Sequence, residues 1–264
     1  MTIALPENRF KEAISSGLPQ IGLWSTLGSN VCAELCAAAD FDWMLVDAEH
    51  GCNDVLSVLP QLQAIAAYRT AAVVRIPSHD PASIKRYLDI GAQSLMIPMV
   101  ETAEQAEALA RAAAFAPEGV RGLAAMTRAA RWSRVPDYVA AARSQICLIA
   151  QIESARGVAN VDAICAVDGI DAVLVGPADM AATMGFRGQP AHPDVIAATW
   201  HCLDRVTAAG KPAGIFVLNE DFARECIGRG FSFVSVGADG ILLSRAVDAL
   251  RDRFRQLPGD GEPS

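Results

Sequence analysis

The chain has no paired-cysteine motif, no long apolar run and only three lysines. Its 264 residues include seven scattered cysteines without a Cys-x-x-Cys pair, so neither a disulfide framework nor a zinc site is predicted. No apolar stretch approaches the roughly 20 residues that span a bilayer, and the amino terminus lacks the basic and then apolar profile of a signal peptide. We therefore expect a cytoplasmic protein without a membrane partner.

Charge and glycine pattern exclude two further classes. The formal net charge is −8 and the sequence pI is about 5.0, which argues against nucleic acid as the main partner. No Gly-x-Gly-x-x-Gly follows an early strand, so an open doubly wound sheet with a nucleotide cofactor is disfavoured. With 52% hydrophobic and 20% charged residues, the chain has the composition of one globular domain. We predict a single domain over residues 1–257 and a disordered tail over 258–264.

Apolar segments alternate with segments of helical periodicity along the chain. Strands are predicted at 20–24, 42–47, 71–76, 94–100, 146–152, 171–175, 213–217 and 231–236. Helices are predicted at 8–16 and, between and after the strands, at 30–39, 54–68, 81–90, 103–115, 155–167, 193–209, 220–229 and 239–255. Strands that are apolar throughout are buried on both faces. Eight strands alternating with eight helices predict an α/β fold, a closed parallel (β/α)8 TIM barrel.

Polar residues stand at the ends of several predicted strands, where the active site of such a barrel forms. They are His50 after the second strand, Arg75 at the end of the third, Gln151 and Glu153 at the fifth, and Asp179 after the sixth. A rim ion pair or, for Asp179, a helix N-cap would explain any one of them without chemistry. The convergence of all five on one mouth favours an active site.

These side chains suit enolate chemistry. Glu153 and Asp179 supply two hard oxygen ligands for a divalent ion such as Mg²⁺, Mn²⁺ or Co²⁺ that keeps waters or binds substrate oxygens. His50 is the natural general base. Arg75 offers a permanent forked cation to a carboxylate or enolate oxygen, and Gln151 can donate a neutral hydrogen bond to the same group. The set predicts an aldol or retro-aldol reaction of a 2-oxo acid.

The alternative aldolase chemistry, a Schiff base, needs a lysine at the barrel mouth. Lys11 falls in the first predicted helix, Lys85 in the helix after the third strand, and Lys211 before the seventh strand on the opposite rim. Imine catalysis is therefore not expected.

Five segments in this order resemble the HpcH/HpaI family of class II, metal-dependent pyruvate aldolases. They are Trp43-Met-Leu-Val-Asp-Ala-Glu-His50, Val73-Val-Arg75, Leu95-Met-Ile-Pro-Met-Val-Glu101, Ile149-Ala-Gln-Ile-Glu153 and Val175-Gly-Pro-Ala-Asp179, and the resemblance runs from about residue 22 to 237. It implies a barrel of the phosphoenolpyruvate/pyruvate type that reversibly cleaves 4-hydroxy-2-oxo acids to pyruvate and an aldehyde.

The resemblance also implies a role for each matching residue. The roles are base for His50, transition-state stabiliser for Arg75, metal ligands for Glu153 and Asp179, pyruvate contact for Gln151, carboxylate cradle for the amides of Ala178 and Asp179, and, for Asp89, an acid that raises the basicity of the histidine. The family's exchange of a terminal helix implies a homo-oligomer, a hexamer built as a trimer of dimers.

Departures from the family pattern fall in the loops. Gly51-Cys52-Asn53 replaces the usual Ala-Pro-Asn, and the 121–128 loop differs from the usual Gly- and Ser-rich version, which leaves the aldehyde open. Trp24 and Phe216 either line the pocket or plug the barrel, whereas His79, His192 and His201 are predicted to be structural.

Two other functions remain open at this point. One is an acyl-CoA thioester lyase of the citrate lyase or malyl-CoA lyase type, for which the arginines of residues 121–134 are the candidate nucleotide-binding surface. The other is a non-catalytic protein that binds metal and an oxo acid. Binding alone does not need His50, which argues against this last reading.

Overall fold

Eight parallel strands close into a barrel in chain order. The structure, a computed structural model, describes residues 2–255, so the tail predicted at 258–264 lies outside the described residues. Each strand pairs with its neighbours in sequence, and the last pairs with the first. This confirms the predicted (β/α)8 barrel.

The observed strands agree closely with the predicted apolar runs. They are β1 (Gln20–Ser25), β2 (Trp43–Asp47), β3 (Ala71–Arg75), β4 (Ser94–Ile97), β5 (Cys147–Ile152), β6 (Ala172–Val175), β7 (Ala213–Phe216) and β8 (Phe233–Ala238). The helices are α1 (Arg9–Ile14), α2 (Asn30–Ala37), α3 (Val55–Ile65), α4 (Pro81–Asp89), α5 (Ala103–Ala113), α6 (Tyr138–Ala141), α7 (Ala155–Ala159), α8 (Val161–Cys165), α9 (Pro177–Thr183), α10 (Pro193–Ala208), α11 (Glu220–Arg229) and α12 (Asp239–Arg255).

Side-chain caps fix where several helices begin. Asp54 accepts hydrogen bonds from the amides of Leu56 and Ser57 at the start of α3, and Thr102 forms a reciprocal capping box with Gln105 at the start of α5. Such caps satisfy first-turn amides that have no acceptor within the helix. These caps fix the residues at which α3 and α5 begin.

Aromatic rings fill the end of the barrel where the strands begin. Phe10 of α1 packs on Trp43 and Phe233 with ring centroids 5.5 and 5.4 Å away, and all three side chains are almost completely buried. Gly22 and Gly214 leave the space that these rings occupy, because a Cβ at either position would overlap the ring of Trp43 or Phe233. This end of the barrel is closed.

Two predicted elements are interrupted by a change of backbone direction or a break. The strand predicted at 94–100 stops at Ile97, because the chain turns at Pro98-Met99, where Met99 has a φ of 51°. The helix predicted at 155–167 is split at Asn160, whose side-chain amide donates to the carbonyl of Glu101 at 2.8 Å. Both breaks lie on the side of the barrel where the strands end.

The last helix exposes much of its apolar surface. On α12, Leu243, Val247 and Phe254 are 55%, 56% and 68% exposed, and only Asp239 in this helix is buried. Among residues 2–255, no helix is long and apolar enough to cross a bilayer.

Candidate active site

Strands β2, β3 and β5 and the helix after β6 carry the predicted site residues to the same rim. Asp47 and Arg75 end adjacent strands in register, and Gln151 lies on β5 opposite Leu174 of β6. Because all strands are parallel, their carboxyl ends meet at one mouth of the barrel.

Arg75 is held by a buried carboxylate that the sequence reasoning did not assign a role. Its Nε and Nη2 donate to Oδ1 and Oδ2 of Asp47 at 2.9 and 2.7 Å, a bidentate pair of the strongest protein type. Asp47 is 1% exposed. Burial acts to raise its pKa, but the hydrogen bonds and charge of Arg75 hold the pKa below its ordinary value. The signal in the sequence was a carboxylate ending the strand next to the strand that ends in arginine.

The same carboxylate organises the loop that carries His50. Oδ1 of Asp47 accepts from the backbone amides of Glu49 and His50 at 3.0 and 3.3 Å, and its carbonyl accepts from the side chain of Asn53 at 2.8 Å. The His50 side chain is 69% exposed, and its Nε2 lies 3.8 Å from Oε1 of Glu49. The predicted base is therefore exposed to solvent on the rim that carries Asp47.

Trp24 and Phe216 lie beneath Arg75 in the barrel. Their rings stack with centroids 4.6 Å apart, and the indole Nε1 of Trp24 donates to Asp47 at 3.2 Å. The guanidinium of Arg75 sits 5.0 Å above the Trp24 ring, close enough for a cation–π contact. The pair forms a floor under the guanidinium.

Glu153 is a buried carboxylate with a fixed orientation. Its Oε1 accepts from the backbone amide of Met99 at 2.8 Å, and its Oε2 accepts from Nε2 of Gln151. Burial above all, together with the negative charges of Glu49 and Asp179, raises the pKa of Glu153 to about 7, against the opposing hydrogen bond from Met99 and the charge of Arg75.

Helix α9 begins beside this carboxylate. Its N-cap residue is Gly176, so the reading of Asp179 as the N-cap is wrong; Asp179 lies in the first turn, where it is exposed at the mouth. A Cβ on Gly176 would lie 2.8 Å from Oε2 of Glu153. The amides of Ala178 and Asp179 belong to a first turn, which has no acceptor inside the helix and attracts anions.

The donor set around Glu153 fits a divalent ion. Two like charges, Glu153 and Asp179, lie close enough that one raises the pKa of the other, and a cation would relieve this repulsion. The Oε1 atom of Gln151 is buried without a hydrogen-bond partner among residues 2–255. No group of three or more His, Cys, Asp and Glu able to hold a metal occurs in that part of the chain, so the two carboxylates would need water or substrate oxygens to complete the coordination of a divalent ion.

Asp89 forms an ion pair with a buried arginine. It ends α4, and its Oδ1 accepts from Nη2 of Arg121 at 2.7 Å; the Arg121 side chain is fully buried and lies over the Phe115 ring. The influence of Asp89 on the histidine, which the family resemblance implied, remains a prediction.

Two lysines and two of the remaining histidines have other contacts. Lys11 pairs with Asp171 at 3.0 Å and Lys211 donates to the carbonyl of Ile170, which places both amines where strands begin. His79 contacts the carbonyl of Pro98 at 2.6 Å, and His192 caps α10. These contacts are structural.

Known proteins resemble the chain over most of its length. The HpcH/HpaI aldolase/citrate lyase family matches residues 20–246. A pyruvate aldolase of Rhizobium etli is 49% identical, covering 95% of this chain and 98% of the relative. A hydroxypyruvate/pyruvate aldolase of Pseudomonas aeruginosa is 50% identical, with coverage of 95% and 94%. The crystal structure of an HpcH/HpaI aldolase/citrate lyase family protein from Burkholderia cenocepacia has a TM-score of 0.91 at 40% identity and covers 94% of this chain and 100% of that one.

A closed barrel with its charged side chains at the carboxyl ends of the strands defines an enzyme-type (β/α)8 protein. The match over residues 20–246 identifies it further: the chain belongs to the HpcH/HpaI aldolase/citrate lyase family. The recognition made from the sequence is confirmed.

Proposed function

We propose that the chain is a class II aldolase that reversibly cleaves 4-hydroxy-2-oxo acids to pyruvate and an aldehyde in the cytoplasm. The observation that carries this proposal is the arrangement on one rim: Arg75 fixed by Asp47, His50 exposed beside them, and Glu153 within the field of Asp179. The names of the relatives, pyruvate aldolase and hydroxypyruvate/pyruvate aldolase, agree with a carbon–carbon lyase.

Glu153 and Asp179 would hold the divalent ion, Mg²⁺, Mn²⁺ or Co²⁺. When bound, such an ion acts as a Lewis acid toward an oxo group. The first-turn amides of Ala178 and Asp179 would bind the substrate carboxylate, and Gln151 would contact the pyruvate half.

The protein groups then handle charge and protons. In the cleavage direction, His50, or a water that it activates, takes the proton of the C4 hydroxyl. The C3–C4 bond then breaks, and the aldehyde departs. The electron pair of that bond stays with C3 and forms the pyruvate enolate, whose charge Arg75 stabilises. Return of a proton to C3 completes pyruvate.

The two other functions gain less support. Arg121 and Arg128 of the 121–134 loop are used inside the fold, where they donate to Asp89 and to the carbonyl of Ile90 at 2.7 Å each, so they do not offer an acyl-CoA lyase a free nucleotide surface. A protein that only binds an oxo acid has no use for an exposed histidine beside a fixed arginine.

We further propose a homo-oligomer, as the family resemblance implied for a hexamer. The exposed apolar residues of α12 support it, because a contiguous apolar surface on a water-soluble chain usually marks a protein contact.

The test follows the methyl protons of pyruvate by NMR in D₂O. Protein stripped with chelator should not exchange them, and resupply of Mg²⁺, Mn²⁺ or Co²⁺ should restore exchange. His50→Ala should slow exchange by about 10² to 10⁴-fold, whereas His201→Ala, at an exposed position on α10, should leave it unchanged. Absence of exchange with every metal would refute the proposal; exchange needs only the enolate step, so the aldehyde need not be known.

A further inference from the structure

Two carboxylates touch the guanidinium of Arg75 in different ways. Asp47 accepts two aligned hydrogen bonds from it at 2.9 and 2.7 Å. Oε2 of Glu49 lies 2.9 Å from Nη1 but outside hydrogen-bond geometry, and this buried oxygen has no hydrogen-bond partner among residues 2–255. Asp47 therefore holds Arg75 with aligned hydrogen bonds, whereas Glu49 is close to it but makes no hydrogen bond.

Burial and surroundings separate the two carboxylates further. Asp47 is also bonded to the Trp24 indole and to two backbone amides, so it cannot leave without breaking the loop. Glu49 has 17% of its side chain exposed. Burial raises the pKa of Glu49, despite the nearby positive charge of Arg75, so ionised Glu49 is less well stabilised by its surroundings than Asp47.

The difference between Asp47 and Glu49 matters for the binding of an anion. Two carboxylates on one guanidinium leave a net charge of −1 beside a site that would take an anionic oxo acid, and the nearby Glu153 and Asp179 add to it. An incoming anion meets repulsion unless it replaces one of the two. Only Glu49 is weakly held.

We propose that Glu49 is a positioning residue that occupies the Nη1 side of Arg75 in the free protein and yields it to the anionic oxygen of a 2-oxo acid, while Asp47 stays in place. This rests on the proposed function and adds an exchangeable partner to the same site. The displaced carboxylate has a second contact at hand, because its Oε1 already lies 3.8 Å from Nε2 of His50. Binding of the oxo acid therefore moves a negative charge from the arginine toward the histidine.

The experiment compares pyruvate binding by calorimetry, in the presence of Mg²⁺, for the unaltered protein and four variants. Glu49→Gln keeps the shape and removes the competing charge, so the Kd for pyruvate should fall by roughly three- to tenfold, while the saturating rate of methyl-proton exchange should fall because His50 loses its partner. Asp47→Asn loosens the anchor and should raise the Kd. Glu49→Asp retains the charge and should not tighten binding. Glu220→Gln removes an exposed glutamate charge on α11 and should change neither quantity.

The direction of the change in Kd decides the outcome. Weaker or unchanged pyruvate binding in Glu49→Gln, with a melting temperature equal to that of the unaltered protein, would overturn the inference, because Glu49 would then be a second anchor or idle. If the unaltered protein binds pyruvate without exchanging its protons, the aldolase proposal fails, yet the Kd comparison still decides the role of Glu49. The test does not depend on whether Asp47→Asn folds, because the Kd of Glu49→Gln alone decides the role of Glu49.

Discussion

The backbone amide of Met99 donates a hydrogen bond to Oε1 of Glu153 at 2.8 Å, across the ends of β4 and β5. Met99 reaches this position with a φ of 51°, a left-handed conformation uncommon for a side chain of this size. The turn at Pro98-Met99 thus aims one amide at the carboxylate. A backbone amide, together with the Gln151 side chain, therefore orients the Glu153 carboxylate.

Metal-free protein should lose stability as the pH rises toward neutrality. The ordinary pKa of 4.5 for Glu153 is raised to about 7 by burial and by Glu49 and Asp179. A raised folded-state pKa contributes stability that is complete below pH 4.5 and is lost as the pH rises through 7. The difference corresponds to on the order of 3 kcal/mol.

Chelator-stripped protein and Glu153→Gln, melted between pH 4.5 and 8, provide the check. The melting temperature of the variant should fall less over this range than that of the unaltered protein. Adding Mn²⁺ to the unaltered protein should recover stability above pH 7, where the carboxylate is ionised and able to bind a cation. Parallel curves for the two proteins would contradict the assigned pKa.

Replacing Gly176 by alanine should damage the candidate metal site. The added Cβ would lie 2.8 Å from Cβ and Oε2 of Glu153, so the carboxylate or the start of α9 must shift. We expect weaker Mn²⁺ binding, by about tenfold or more, as measured by calorimetry. Gly228→Ala is the matched control: it lies on α11 with no heavy atom within 4 Å of the added Cβ, and it should stabilise the helix by about 1 kcal/mol. Equal Mn²⁺ affinity in Gly176→Ala and Gly228→Ala would show that the candidate metal site tolerates a Cβ at position 176.

Asp89→Asn should destabilise the chain whatever it does to catalysis. The variant leaves the fully buried Arg121 guanidinium, already lacking partners at Nε and Nη1 among residues 2–255, without its ion-pair partner. Because Asp89 is 23% exposed and asparagine keeps an acceptor oxygen, we expect a cost of about 1.5 to 3 kcal/mol, the range for a hydrogen bond to a charged group, which urea denaturation would detect. Arg224→Ala breaks an exposed pair with Glu220 and should cost under about 1 kcal/mol. A loss as small as that of this control would mean that Arg121 finds another partner.

The sequence predicted the barrel well because the pattern that marks each strand lies within the strand itself. Uninterrupted apolar runs mark strands buried on both faces, and these runs match all eight observed strands within a few residues. The prediction failed at 98–100, where apolar residues continue through a turn; hydrophobicity alone does not register the change in backbone direction at Met99. It failed at Asn160 for a related reason, since the break depends on a hydrogen bond to Glu101, 59 residues away.

The sequence predicted which residues lie on the rim and missed how they pair. Strand-end position placed His50, Arg75, Gln151 and Glu153 on one rim, because parallel strands end there; their roles in an active site stay predictions. The pairing of Arg75 with Asp47 was missed although the two residues end adjacent strands in register, because strand-end position alone does not say whether Asp47 or Glu49 makes the aligned hydrogen bonds. The contact of Asp89 with Arg121 depends on the path of the loop after α5.

Because the rings of Phe10, Trp43 and Phe233 fill the end of the barrel where the strands begin, a small molecule would reach Arg75 and Glu153 from the end where the strands finish. The fold therefore separates two tasks in space. The aromatic rings stabilise the barrel at one end, and the loops after the strands determine what can approach at the other. Under the proposed function, variants that seek a different aldehyde should change those loops and leave the three rings unaltered.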